Sequence, residues 1–289
     1  MYKGQFKWLS SVDHQNLALL TELNTKMSLF YNSLETRIEY DKMIAPATTA
    51  IKQDEVTKEF LKWVSDAAPK NILEIGCGSG RIRQLLQIDN SINYTGTEVS
   101  VSTLKNNPLI WPDSKWLNGS VYDLDFNEEK FDLVFSFYVL EHLLFPEKAL
   151  NKMYDLVSKG GHLVVICPDF SETLRLPSQY LGFSKHQSAK EKIKKFLFLD
   201  SVVSLFDSRF RLQPALKRLK QRSGEFLINT NPICLDLEET DIIWPDCDAV
   251  YLANKAELEF WAKRKNAKFH YPGGTSEIFK EHIFIVFSK

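Results

Sequence analysis

The ten residues Asn71–Gly80, NILEIGCGSG, constrain this chain more than any other stretch. Ile72, Leu73 and Ile75 form a short apolar run that reads as a strand buried on both faces. The chain then turns through Gly76, Cys77, Gly78, Ser79 and Gly80 and continues as Arg81–Leu86 with helical character. This is strand, glycine-rich turn, helix. Glycines let backbone approach a ligand closely, and the N-terminus of the following helix presents free N–H groups, so such a turn can hold a phosphate or a carboxylate.

Around this stretch the chain alternates strand and helix, the pattern of a parallel doubly wound sheet. Strands are predicted at Ile92–Glu98, Lys115–Leu117, Phe131–Phe137, His162–Cys167, Ala249–Leu252 and His282–Ser288. A short helix is expected from Val101 to Lys105, and others over Pro146–Val157 and Lys255–Lys265. Before the turn, Asn16–Tyr40 carries Leu17, Leu20, Leu23, Met27, Phe30, Tyr31, Leu34 and Ile38 on one helix face, and Pro46 breaks the pattern. Asp54–Ala67 gathers Val56, Phe60, Trp63 and Val64. These aromatics read as core, or as a lid formed by the first helix over a pocket. The regular alternation stops at Pro168, and residues 171–245 read as an insertion. The chain thus divides into an N-terminal helical cap (1–68), a cofactor-binding α/β core (69–170), the inserted segment (171–245) and C-terminal elements completing the sheet (246–289).

Glu98 ends the second strand, 22 residues after Gly76. A carboxylate there can accept hydrogen bonds from both hydroxyls of a ribose whose remaining parts lie over the glycine turn, which favours a nucleoside-bearing cofactor. A dinucleotide fits poorly, because Arg81 stands where the third glycine of the dinucleotide fingerprint would fall. The cysteines, Cys77, Cys167, Cys234 and Cys247, form no CxxC pair and have no zinc spacing with histidine, so no metal site is expected. Free thiols in a reducing cytoplasm are the reading adopted.

At Glu74-Ile75-Gly76-Cys77-Gly78-Ser79-Gly80 the sequence resembles the class I S-adenosylmethionine-dependent methyltransferases, whose signature is ExGxGxG. The likeness extends to Glu98, to NGSVYDLDFNEEKFDLVFSFYVLEHLL and to LVSKGGHLVVICPD, covering about residues 50–170 and again 249–289. It is nearest to small-molecule enzymes of the ubiquinone-biosynthesis type. The resemblance implies an α/β fold with a doubly wound, Rossmann-like seven-stranded sheet, N-terminal helices and a mostly helical insertion after the fifth strand. It implies S-adenosyl-L-methionine as cofactor, with contacts at Glu74, Gly76, Cys77, Gly78 and Gly80, at Glu98 and Val99, at Ser120 and Val121, and at Phe137 beside Tyr138. Ser120 stands where the family often has an Asp that bonds the adenine amino group, and Asp123 is the nearby acid that could substitute.

Methyl transfer from a sulfonium needs no metal, only alignment and exclusion of water. A hydroxyl acceptor gains from a general base, and His142, in Leu140-Glu141-His142 after the fourth strand, is the catalytic candidate by position. The alternative is a structural histidine at a helix start. His14, His162, His186, His270 and His282 form no paired constellation in the sequence, and His162 reads as structural.

The expected function is methyl transfer to a small-molecule, sugar or lipid-precursor acceptor. A nicotinamide-binding Rossmann-like protein and a non-catalytic module are the alternatives. Arg81 and the VLEHL segment oppose the first, and the preserved turn with Glu98 opposes the second. Residues 190–222 are basic and amphipathic, with Ile193, Phe196, Leu197, Val202, Leu205 and Phe206 among the bases. They read as a helical cap with a solvated face, as a peripheral contact to an anionic membrane, or as a surface for an anionic or sugar-linked acceptor. The formal net charge of −1 argues against general nucleic-acid binding, and no stretch is long and apolar enough to span a bilayer. The N-terminus lacks the apolar segment of a signal peptide, and a cytoplasmic location is expected.

Overall fold

The computed structural model describes residues 2–33, 54–87, 91–186, 189–238, 244–274 and 279–289. A short strand, β1 (Trp8–Ser10), precedes helix α1 (Leu17–Ser33). Leu20, Leu23, Met27 and Phe30 are buried along one stripe of α1, as their spacing of three and four requires, whereas Leu17 is exposed. The expected continuation to Tyr40, with Leu34, Ile38 and the break at Pro46, lies outside the described residues. Helix α2 (Glu55–Ala67) begins where the Asp54 carboxylate accepts the Thr57 N–H at 2.7 Å. It ends at Ala68, whose left-handed backbone returns its N–H to the Val64 carbonyl.

The α/β core follows as β2 (Asn71–Ile75), α3 (Arg81–Leu85), β3 (Asn93–Glu98), β4 (Lys115–Asn118), β5 (Phe131–Phe137), α4 (Pro146–Leu156) and β6 (Val157–Pro168). After it come α5 (Ala189–Lys194), α6 (Phe198–Phe206), a π-helical segment (Asp207–Leu212), α7 (Gln213–Lys217), β7 (Leu227–Asn229), α8 (Lys255–Lys265), β8 (Lys268–His270) and β9 (His282–Ser288). Seven strands form one sheet in the order β4-β3-β2-β5-β6-β9-β8. β4, β3, β2, β5 and β6 are mutually parallel, while β9 runs antiparallel to both β6 and β8. This is a Rossmann-like α/β fold.

Alternate residues of the central strands feed two cores. On one face Ile72, Leu133, Phe135, Val164 and Ile166 pack with Val56, Phe60 and Val64 of α2. On the other, Leu73, Val134, Leu163, Val165 and Cys167 pack with α1 and α4. Burial on both faces explains why these strands are apolar runs rather than alternating ones. The chain goes from β2 outward to β3 and β4, then returns to start β5 on the other side of β2. That reversal opens a crevice beyond the carboxyl ends of β2, β3 and β5, where ligands bind in such sheets.

Three readings change. Ala249–Leu252 is not a strand of the large sheet: the segment exchanges backbone hydrogen bonds with β7 and donates two N–H groups to the Glu141 carbonyl, and only Tyr251 forms a bridge, to Ile228. The seventh strand is β8, three residues whose pattern is too short to read alone. β6 starts at Val157 rather than His162, with Gly160 and Gly161 inside it beside a register shift against β5. The N-terminus is also not purely helical, because β1 pairs antiparallel with β7.

Phe60 is fully buried, with its ring 5.0 Å from Phe135 and 5.4 Å from Phe137. Phe60→Ala is expected to destabilise the fold by about 3–5 kcal/mol, read from denaturant midpoints. A loss under about 1 kcal/mol would mean that α2 does not anchor this face of the sheet.

Candidate active site

A cavity of about 640 Å³ opens at the crevice. Its floor is the glycine turn after β2. Gly76 has φ of +71°, and a Cβ there would strike Val139 at 2.5 Å, so only glycine fits. Gly78, at φ of +52°, has nothing within 4 Å of where its Cβ would be. At Gly78 the turn therefore presents bare backbone to the cavity, with Cys77 and Ser79 lining it on either side. Gly80 lies behind it against the Trp111 indole.

Glu98, at the end of β3, closes on this turn. One carboxylate oxygen accepts the Gly78 N–H at 3.0 Å and the other accepts the Ser100 N–H at 2.9 Å. Burial raises the pKa of this carboxyl, and the backbone donors work against the rise. Glu98 lines the cavity, and each carboxylate oxygen has acceptor capacity beyond its one backbone donor. The Gly78 carbonyl is fixed from the other side by the Asn107 amide at 2.9 Å. Glu74 is buried under the turn and accepts the Tyr94 hydroxyl; burial pushes its pKa up to about 8.

Of the residues singled out in the sequence, Glu74, Gly76, Cys77, Gly78, Glu98, Val99, Ser120, Val121, Phe137, Tyr138 and His142 all line this cavity. The Ser120 hydroxyl accepts the Tyr122 N–H at 3.3 Å, whereas Asp123 is outside the lining. Tyr138 has a left-handed backbone with φ of +55°, a conformation that costs a bulky residue about 1–3 kcal/mol. It is held by its own N–H to the Ile166 carbonyl at 2.8 Å and by its hydroxyl beside His282 Nδ1 at 3.2 Å.

α1 contributes Asn24, Met27, Ser28 and Tyr31, so one edge of this helix covers the cavity while its stripe is core. Among the described residues of the inserted segment only Pro245 reaches the lining, and the bases of 190–222 are elsewhere. They give no support to an anionic acceptor in this cavity. The acids Asp54, Glu98, Asp246 and Asp248 do line it.

His142 meets residues that the sequence did not bring to attention. Its Nδ1 is 3.4 Å from an Asp248 carboxylate oxygen, which also accepts the Tyr31 hydroxyl at 3.0 Å. Its Nε2 is 4.0 Å from Glu141. Glu141, His142 and Asp246 each bring one donor atom within 4.8 Å of the others, an arrangement that could hold a cation. The charges argue otherwise. Burial acts to lower the His142 pKa, but Asp248, Glu141 and Asp246 outweigh it and raise the value to about 9. Burial, with Asp246 adding to it, pushes Glu141 up to about 8 against the pull of His142. The surrounding acids favour the charged form of His142, so the imidazolium itself is the cation of this cluster. The sequence signal for this cluster is the pair of acids in Trp244-Pro245-Asp246-Cys247-Asp248, remote in the chain and at the start of the C-terminal elements. All four cysteines are buried. His162 contacts the Ser288 hydroxyl at 3.2 Å within the sheet, as a structural residue does.

Residues 73–165 match a family model described as a methyltransferase domain. The chain is 21% identical over 195 residues to the O-methyltransferase resE of Aspergillus sclerotiorum, covering 61% of this chain and 72% of that one. It is 28% identical over 182 residues to a tRNA U34 carboxymethyltransferase of Pseudomonas savastanoi pv. phaseolicola, covering 61% of this chain and half the length of that relative. Among solved structures, the plantazolicin methyltransferase BamL superposes with a TM-score of 0.51 at 12% identity, over 94% of this chain and 98% of that one, a likeness of fold. Residues 73–165 thus carry a methyltransferase domain, of the class I S-adenosylmethionine-dependent type. S-adenosylmethionine is the cofactor of that class, and bare backbone at Gly78 opposite a half-buried carboxylate suits an amino-acid tail joined to a ribose.

Glu74, Glu141 and His142 have folded-state pKa values of about 8, 8 and 9, all above their ordinary values of 4.5, 4.5 and 6.5. Groups raised in this way stabilise the fold fully below their unfolded pKa and lose that contribution as pH climbs through the folded value. The thermal midpoint is therefore expected to fall as pH rises from about 5 to about 9. A midpoint that rises across this window contradicts the assignment.

Proposed function

We propose that this protein transfers a methyl group from S-adenosylmethionine to an uncharged, hydroxyl-bearing small molecule, a class that includes sugars and lipid precursors. The observation that carries the reading is the pairing of the Gly76–Gly78 turn with Glu98 across one cavity wall. In this reading Gly76, Cys77 and Gly78 hold the methionine part through backbone N–H and C=O groups. Glu98 accepts the two ribose hydroxyls, worth about 1.5–3 kcal/mol each for bonds to a charged acceptor. Val99, Ser120 and Val121 flank the base, and Phe137 and Tyr138 flank the methionine part. When bound, S-adenosylmethionine supplies a methyl group already activated on a sulfonium, so the protein's task is alignment and exclusion of water rather than metal chemistry.

The acceptor sits between the turn and His142 under Tyr31 and Met27. Neutral His142 takes the proton of the acceptor hydroxyl, and the carboxylates of Asp248 and Asp246 stabilise the imidazolium that results. Those same carboxylates make the imidazole strongly basic, so it is neutral in about one molecule in a hundred at pH 7. The acidic lining supports a neutral acceptor over a phosphate-bearing one. With the formal net charge of −1, it also weighs against an RNA acceptor of the kind named for the carboxymethyltransferase relative.

Isothermal titration tests the cofactor assignment. S-adenosylmethionine should bind, NAD should not, and Glu98→Ala should weaken binding at least tenfold with the fold intact by circular dichroism. No binding of S-adenosylmethionine, with or without candidate acceptors, rejects the reading. The pH profile tests His142. With an acceptor in hand, kcat/KM should rise about tenfold per pH unit below about pH 9 and level off above it, and His142→Asn should lower and flatten the profile. An unchanged profile in His142→Asn removes the base assignment.

A further inference from the structure

The inserted helices are packed the wrong way round for a water-soluble cap. On α5 and α6 the buried side chains are polar: Lys192, Asp200, Ser201 and Ser204, with Asp207 just beyond. The Lys192 ammonium is wholly buried, 3.0 Å from the Asp200 carboxylate, and also donates to the Leu181 carbonyl and the Ser204 hydroxyl. Asp200 accepts the Phe183 N–H at 2.6 Å, and Asp207 accepts the Gly182 N–H at 2.8 Å. These bonds fasten the polar face of the helices onto the 181–184 segment.

The apolar face is left outside. Phe196, Leu199 and Phe210 are 81%, 72% and 67% exposed, and Phe198, Val202 and Phe206 are exposed beside them. Leu199, Val202, Phe206 and Phe210 follow one another at spacings of three and four, a continuous stripe along the helix. A patch of this size needs a partner. The side chains that could have neutralised a basic partner are sunk: of the acids between 189 and 210 only Glu191 is exposed, against Lys190, Lys194, Lys195 and Arg209, so the rim carries four positive charges to one negative. A second copy of the chain is a poor occupant, because two-fold pairing of the stripe would set these cations against their own copies. An aromatic and aliphatic stripe rimmed by cations matches a surface that is apolar beneath and anionic above. Among the described residues no helix is long and apolar enough to cross a membrane, so contact would be with the surface.

We propose that the exposed face of α5 and α6, through Phe210, docks this protein on anionic lipid bilayers. Phe196, Leu199, Val202 and Phe206 lie in the boundary between headgroups and acyl chains. Lys194, Lys195 and Arg209 meet the lipid phosphates. This surface is separate from the cavity, whose lining contains no residue of 190–210, so docking stands or falls independently of the methyl acceptor.

Co-sedimentation of the full chain with lipid vesicles tests the proposal. Vesicles of 3:1 phosphatidylcholine to phosphatidylglycerol should pull the protein down, pure phosphatidylcholine should do so at least tenfold less well, and added salt should weaken the binding. Leu199→Glu with Phe206→Glu should cut partitioning at least tenfold while circular dichroism and affinity for S-adenosylmethionine stay unchanged. Lys194→Glu with Lys195→Glu should abolish the preference for anionic vesicles. No binding to either vesicle overturns the proposal. So does sedimentation velocity showing a dimer that the Leu199→Glu, Phe206→Glu variant dissolves, which would make the face an interface between copies of this chain.

Discussion

One carboxylate organises the cofactor end of this molecule. Glu98 reaches from the end of β3 to the turn after β2 and accepts one N–H from each side, Gly78 and Ser100. Ser100 in turn caps the helix that begins at Val101, so the acid links two turns that belong to neighbouring strands. Burying a carboxylate is costly, and the rise in its pKa records that cost. The cost is tolerable because both oxygens keep backbone donors. The parallel pairing of β2 with β3 and β5 brings Glu98, the glycine turn and Phe137 to the same edge of the sheet.

The second concentration of charge depends on elements that the chain order keeps apart. Tyr31 comes from α1, His142 from the short 3₁₀ turn after β5, and Asp246 and Asp248 from the approach to the final helix. The segment from Asp248 onward is tied to the His142 turn by backbone: Val250 and Tyr251 donate to the Glu141 carbonyl. An imidazolium beside the buried Asp248 and the half-buried Asp246 is an arrangement that makes the imidazole more basic and supports its charged form. Tyr138, strained beside it, shows the same local compromise of backbone comfort for position.

The inserted region follows the opposite logic from the core. In the core, apolar side chains face inward and hydrogen bonds satisfy the strands between them. On α5 and α6 the hydrogen-bonding side chains face inward and the apolar ones outward. The burial of Lys192 is supported only because Asp200, Ser204 and the Leu181 carbonyl surround its ammonium; without them a buried lysine would be neutral or excluded.

By itself the sequence determined the strand, turn and helix at 71–85, the buried central strands and the Glu98 partner. These are signalled by local properties: apolar runs of strand length, glycines where φ must be positive, and an acid at a fixed distance. The helix of α2 was legible from its own apolar stripe, expected over Asp54–Ala67 and found over Glu55–Ala67 behind the Asp54 cap. Only the tertiary structure decided that Ala249–Leu252 leaves the large sheet, that β8 completes it, and that Asp246 and Asp248 arrive at His142. Each of these depends on which distant backbone takes a hydrogen bond, and periodicity carries no information about that. The direction of the 190–210 helices was also undecided by pattern. An amphipathic helix has two faces, and the sequence gives no reason to bury the polar one until Asp200, Asp207 and the 181–184 backbone are seen to hold it there.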